Sequence, residues 1–168
     1  MALCSLAAPR YRRRMEIRAA VPADAAAIAD VLRRSIIELC HADHGGDPTV
    51  LARWTQNKTP ENALAWMNAP GQAMLVAIEA GRLAAVGLVT SEGEVRLNYV
   101  APEARFRGIS RALMAALEVR ARAFGASLCT LTSTATARRF YRSGGYVEAG
   151  VEPGLASGRS LYRMAKRL

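Results

Sequence analysis

Tyr99 to Arg111 read YVAPEARFRGISR, and this stretch decides the fold. An extended run ends at Pro102. A loop rich in arginine and glycine follows, and an amphipathic helix begins at its end. In that helix Ile109, Ala112, Leu113, Ala116 and Leu117 recur at i, i+3, i+4, i+7 and i+8, which makes one apolar stripe. Arg111, Glu118 and Arg122 are expected on the other side, with Glu118 and Arg122 at i, i+4 spacing. Gly125 is a natural stop, and a β-prone run, SLCTLTS, begins at Ser127. Strand, helix, strand in this order predicts a parallel crossover, with the loop at the C-terminal end of the first strand.

The chemistry follows from the same stretch. Helix N-termini carry free N–H groups and the positive end of the dipole, so a Gly-containing turn there can wrap a phosphate closely. Arg105, Arg107 and Arg111 surround that turn with fixed positive charge. The junction reads as a cradle for a polyanion.

Val100-Ala101-Pro102 followed by Arg105-x-x-Gly108-x-Ser110 resembles the pyrophosphate motif of the GNAT superfamily of acetyl-CoA-dependent N-acetyltransferases. That motif is Arg/Gln-x-x-Gly-x-Gly/Ala, and here Ser110 takes the last small position. A second block agrees. Thr134-x-x-Ala137-x-x-Phe140-Tyr141-Arg142-x-Gly144-Gly145-Tyr146 resembles the family's Asn-x-x-Ala-x-x-Phe-Tyr-x-x-x-Gly-Phe. Thr134 stands for Asn and Tyr146 for Phe, and Thr134 is a candidate N-cap for the helix carrying Tyr141.

The resemblance implies an α/β (α+β) N-acyltransferase fold, a central twisted mixed sheet flanked by helices on both faces. It implies acetyl-CoA as cosubstrate, held by Tyr99, Val100, Arg105, Phe106, Arg107, Gly108, Ile109, Ser110, Arg111, Thr134 and Ala137. It makes Tyr141 the general acid for the departing thiolate. A phenol near pKa 10 protonates a thiolate whose acid is near 8.5 with modest driving force, so placement matters. Glu94 is the first candidate for the general base. Asp43, His44 and a chain of waters are the alternatives. Trp54 and Trp66 lie in the region that helps to cover the acceptor in this family, and their spacing from Leu51 and Leu64 equally suits core packing.

Composition narrows the remaining classes. With 168 residues, 51% hydrophobic and 22% charged, the chain is long enough to bury one sizeable core. No apolar run is long enough for a membrane span. The net charge is +9, and four of those charges, Arg10, Arg12, Arg13 and Arg14, fall in the first fourteen residues. The other five suit a phosphate-bearing ligand. A nucleic-acid partner is the lesser alternative, because the basic residues are dispersed without an aromatic ladder. An acyl-CoA-binding sensor on the same fold is the other, and it has no need of Tyr141. Cys4, Cys40 and Cys129 lack pair spacing, which argues for a reducing cytoplasm and against disulfides or zinc. Two histidines are too few for a metal site, and none is expected. A homodimer is left open.

Residues 1–14 are expected to form a poorly ordered extension, with residues 15–168 as a single N-acetyltransferase domain and Met15 as its natural start. Met15 to Ala20 reads as a strand, and Pro22 opens a long helix that runs to Gly45. Thr49–Asn57 and Pro60–Met67 read as shorter helices. Ala73–Glu79 and Leu83–Ser91 read as a hairpin across Ala80-Gly81, with Glu94–Val100 as the next strand. Leu128–Thr132, the Tyr141 helix, Tyr146–Ala149 and Ser160–Met164 close the chain.

Overall fold

A computed structural model of the chain describes residues 15–153 and 159–168, so the expectation for residues 1–14 lies outside the described residues. The described residues begin with β1 (Met15–Ala19), followed by helices α1 (Ala25–Arg34), α2 (His41–His44), α3 (Pro48–Thr55) and α4 (Pro60–Asn68). Strands β2 (Gln72–Glu79), β3 (Arg82–Thr90) and β4 (Val95–Val100) come next, then α5 (Ile109–Ala123) and β5 (Leu128–Ser133). Helix α6 (Ala135–Ser143) and strands β6 (Val147–Pro153) and β7 (Ser160–Arg167) complete it.

The strands form two antiparallel sheets, β1-β2-β3-β4 and β5-β7-β6. Among the described residues a single parallel bridge, Glu94 to Thr130, joins them. The predicted crossover is therefore present as β4-α5-β5, but its two strands meet at one point only. Within β4, Leu97 pairs with Leu88 and Val95 with Val89, so Arg96 is an extra residue on the β4 side. Such a bulge bends and twists its strand. Beyond Glu94 the edge of β4 that faces β5 is unpaired, and the two sheets part.

Helices cover the first sheet on both faces. Residues 84–90 of β3 are buried without interruption, as expected of a strand packed on two sides. Helices α1 and α5 both pack on β3, and α4 lies against α1 and β2. Ile28 and Leu32 of α1 and Leu113 and Leu117 of α5 are fully buried. Burying each such side chain is worth about 1.5–3 kcal/mol. Gly87 lets α5 come close, because a Cβ there would meet Leu117 Cδ1 at 2.7 Å.

Two expectations need correction. The helix predicted from Pro22 to Gly45 is not continuous. It passes into a π-helical turn at Ser35–Leu39, breaks at Cys40 (φ −101°) and resumes for one turn as α2. A π turn inserts one residue into the 3.6-residue period, so the apolar pattern carries on while the axis shifts. Glu118 is not on a solvated face with Arg122. It is 7% exposed and accepts two hydrogen bonds from Lys166 Nζ of β7, at 2.9 and 2.8 Å. The face of α5 carrying Met114, Glu118 and Ala121 is buried as well.

Gly93 sits at the bridge, with φ +84°, and its carbonyl accepts the Thr130 N–H at 2.9 Å. A Cβ on Gly93 would overlap the carbonyl oxygen of Leu128. Gly93→Ala should therefore lower Tm by roughly 5–10 °C, as expected for about 2–3 kcal/mol in a chain of this size. Gly81→Ala, with a similar φ and nothing near its Cβ, should cost only the backbone strain. Equal melting shifts for the two variants would contradict the close approach at the bridge.

Candidate active site

The parting of β4 from β5 opens a cleft of about 760 Å³. Asn98, Tyr99 and Val100 of β4 line one side, and Thr132 and Ser133 of β5 line the other. Both strands are paired on their outer edges, β4 to β3 and β5 to β7. The inner edges offer backbone N–H and C=O groups to the cleft. An extended ligand with amide groups can pair with such edges as an added strand would.

At one end of the cleft stands the N-terminus of α5. Gly108 occupies the cap position at φ +78° and gives no side-chain cap to the first turn. A Cβ on Gly108 would meet nothing within 4 Å, so the space above the loop is open to a ligand. The N–H groups of the first turn have no intrahelical partners, and with the dipole they form an anion site. Arg105 and Arg111 line the cleft beside it. Arg105 stacks on the ring of Phe106, 4.6 Å from its centroid, and Phe106 is 93% exposed in the left-handed region at φ 60°. Arg111 Nη2 donates to Ser143 Oγ at 3.5 Å.

Tyr141 lies on α6, which follows β5. Its side chain is buried, with its ring edge-on to Phe140 and Tyr146 at 5.1 and 5.9 Å. Asn98 Nδ2 donates to the phenolic oxygen at 3.4 Å, so the phenol's own proton is directed elsewhere. Burial pushes the Tyr141 phenol above its ordinary pKa, although the Asn98 hydrogen bond works against this. The neutral, proton-carrying form is favoured. Burial likewise raises Tyr99.

Every candidate cosubstrate residue except Arg107 lines the cleft. Arg107 Nη1 pairs with Glu79 Oε2 at 2.6 Å instead, because the loop turns it toward the end of β2. Arg96 and Arg139, which sequence reading did not single out, line the cleft and add positive charge. Glu94 is not brought to the cleft. Its exposed carboxylate accepts from Arg96 Nε at 2.8 Å. His44 is buried, with Nδ1 accepting the Gly46 N–H at 3.0 Å and its ring edge-on to Trp54. Trp54 lines the cleft, whereas Trp66 packs against the core beneath Lys58.

Asp43 lines the cleft from α2 and is 4% exposed. Thr134 holds the N-cap position of α6, but its side chain makes no capping bond. Asp43 Oδ1 accepts the Thr136 N–H at 3.4 Å and takes that role from a distant part of the chain. Asn98 and the capping use of Asp43 were not found from sequence. The one signal for Asn98 is a polar residue within the otherwise apolar run Leu97-Asn98-Tyr99-Val100. Among the described residues no cluster of three or more His, Cys, Asp or Glu could hold a metal ion, and no helix is long and apolar enough to cross a membrane.

The sequence profile of the acetyltransferase (GNAT) domain matches residues 39–168. A search of curated proteins finds no match. Among solved structures, the chain is similar to a GCN5-related N-acetyltransferase from Rhodopseudomonas palustris, with 25% identity, a TM-score of 0.81, and 91% of this chain and 95% of that one covered. Two structures with bound ligands share the fold. One is the PaiA N-acetyltransferase of Thermoplasma acidophilum in complex with coenzyme A, at 19% identity and TM-score 0.75, covering 92% of this chain and 99% of that one. The other is YncA of Salmonella typhimurium, a putative acetyltransferase with acetyl-CoA, at 24% identity and TM-score 0.72, covering 92% and 94%. The profile spans most of the chain, and the parted sheets, the α5 cradle and Tyr141 meet in one cleft: this protein belongs to the GNAT acetyltransferase family.

Proposed function

We propose that the protein transfers an acetyl group from acetyl-CoA to a primary amine of a small molecule or peptide, by direct attack in a ternary complex. The observation that carries this reading is the buried Tyr141 hydroxyl beside the cleft, its oxygen held by Asn98 and its proton free to be given. A domain that only bound or sensed acyl-CoA would have no use for that hydroxyl. A nucleic-acid-binding reading finds no support in a deep cleft lined by strand edges.

The residues present fit the cosubstrate. The first-turn N–H groups of α5, the open space at Gly108, and Arg105 and Arg111 would hold its phosphates. The inner edge of β4 at Tyr99 and Val100 would pair with its amide-bearing arm and polarise the thioester carbonyl. Thr134 and Ala137, which line the cleft from the α6 side, would flank the same arm. Acetyl-CoA supplies the activated acetyl group. Tyr141 holds a proton for the thiolate that departs as the amine nitrogen bonds to the carbonyl carbon and the C–S bond breaks. Solvent then returns the proton to Tyr141. With Glu94 held by Arg96 outside the cleft, we assign loss of the amine's proton to water rather than to Glu94. Free thiols at Cys40 and Cys129 accord with a reducing, cytoplasmic setting.

Two outcomes follow. Gly108→Val puts a β-branched side chain into the space above the loop, on a backbone at φ +78°. The Kd for CoA, measured by calorimetry on the folded variant, should rise about tenfold or more, or roughly 1.4 kcal/mol. An unchanged Kd would place the phosphates elsewhere. Tyr141→Phe keeps the ring and removes the acid. Turnover with a working acceptor should fall by about 10²-fold or more at nearly unchanged CoA affinity. Near-normal turnover under chemistry-limited conditions would refute the acid role.

A further inference from the structure

The cleft has a second wall, built by the π turn, α2 and α3. Ile36, Leu39 and Cys40 of the π turn and break, with Trp54 of α3, make it largely apolar. Asp43 stands in this wall. It is the one acid among the residues that line the cleft, against four arginines: Arg96, Arg105, Arg111 and Arg139. The Asp43 Oδ1 bond to the Thr136 N–H anchors the carboxylate at the positive end of the α6 dipole. Its other oxygen, Oδ2, is buried and has no hydrogen-bond partner among the described residues. A buried charge with an unused oxygen is costly, and such groups are normally paired.

A second acceptor in the same cleft is in the same condition. Asn98 spends its Nδ2 on Tyr141, and its Oδ1 is buried without a partner. Two acceptors without donors ask for a ligand rich in N–H groups. An alkylammonium brings three donors, no acceptor and a positive charge, while the apolar wall suits its hydrocarbon body. A carboxylate beside the amine would face Asp43 and be repelled. The charge of Asp43 is felt along this wall. Burial first and then the charge of Asp43 push the neighbouring Cys40 thiol up to about 11, against the opposing charge of Arg105.

We propose that Asp43 selects the acceptor, and that the acceptor is a cationic amine whose ammonium docks on Asp43 Oδ2, with no carboxylate close to it, and gives a proton to water before the neutral amine attacks. Calling this ligand the acceptor rests on the acetyltransferase reading above; the cation site itself does not depend on turnover.

The test measures binding to the CoA-loaded protein by NMR titration with n-butylamine, 1,4-diaminobutane and 2-aminobutyrate, whose carboxylate sits beside the amine. Wild type should bind the two cations at least about tenfold more tightly than the zwitterion. Asp43→Asn keeps an oxygen for the Thr136 N–H and replaces the charged Oδ2 acceptor with a neutral amide NH2. It should reduce the preference to under about threefold while leaving CoA affinity unchanged. A wild type without the preference, or a folded Asp43→Asn variant that retains it, overturns the proposal. Asp43 would then serve only to tie α2 to α6. Cys40→Lys, which sets a competing ammonium on the same wall, should also abolish the preference, and its persistence there is equally contrary. A thiol-release assay separates the two readings. Cation preference lost in Asp43→Asn, with no turnover of any amine, removes the acetyltransferase reading and leaves the site. Turnover with a preference blind to Asp43 does the reverse.

Discussion

One backbone contact organises this molecule, the parallel bridge between Glu94 and Thr130. It holds two antiparallel sheets together at a single point and leaves the inner edges of β4 and β5 unpaired beyond it. Gly93 makes the contact close, and the extra residue at Arg96 bends β4. Unpaired strand edges are normally a liability. Here they line a cleft, with α5 and α6 beside it and joined by the Arg111–Ser143 hydrogen bond. The cleft is thus a consequence of how the sheet parts.

The polar groups around that cleft are unevenly satisfied, and the unevenness has direction. The α5 end is positive and rich in donors, with free first-turn N–H groups and the Arg105 and Arg111 side chains. The wall formed by the π turn, α2 and α3 is largely apolar and holds one buried acceptor, Asp43 Oδ2, and β4 holds a second, Asn98 Oδ1. Tyr141 is tied to the second through the Asn98 amide. The proposed phosphate and ammonium sites, with the Tyr141 phenol bonded to Asn98, suit the union of a phosphate-bearing donor with a basic acceptor.

Much of the fold was legible because its signals are local. The apolar stripe of α5 is five residues on one helix face, and the glycine at position 108 marks a left-handed turn before the helix. The β2-β3 hairpin announces itself through Ala80-Gly81, both at positive φ. The two family motifs bring Tyr141 and the cradle loop to one cleft. What stayed hidden is long-range pairing of polar side chains. Arg107 turns to Glu79, Glu118 finds Lys166, Asn98 meets Tyr141, and Asp43 caps α6 from 93 residues away. No periodicity encodes such pairs, because each is settled only when separate elements pack. The π turn at Ser35–Leu39 was hidden for another reason. One inserted residue leaves a run of apolar side chains looking like an ordinary helix.

The central claim is that the cosubstrate lies between the parted strands with its phosphates on α5. Amide hydrogen exchange with and without CoA tests it most directly, since bound groups become protected where they gain partners. The account predicts new protection at Asn98–Val100 of β4, at Leu131–Ser133 of β5 and in the first turn of α5 from Ile109. It predicts little change in the β1-β2 pair. Protection that spares the inner edges of β4 and β5, or that concentrates on the outer strands, would contradict it.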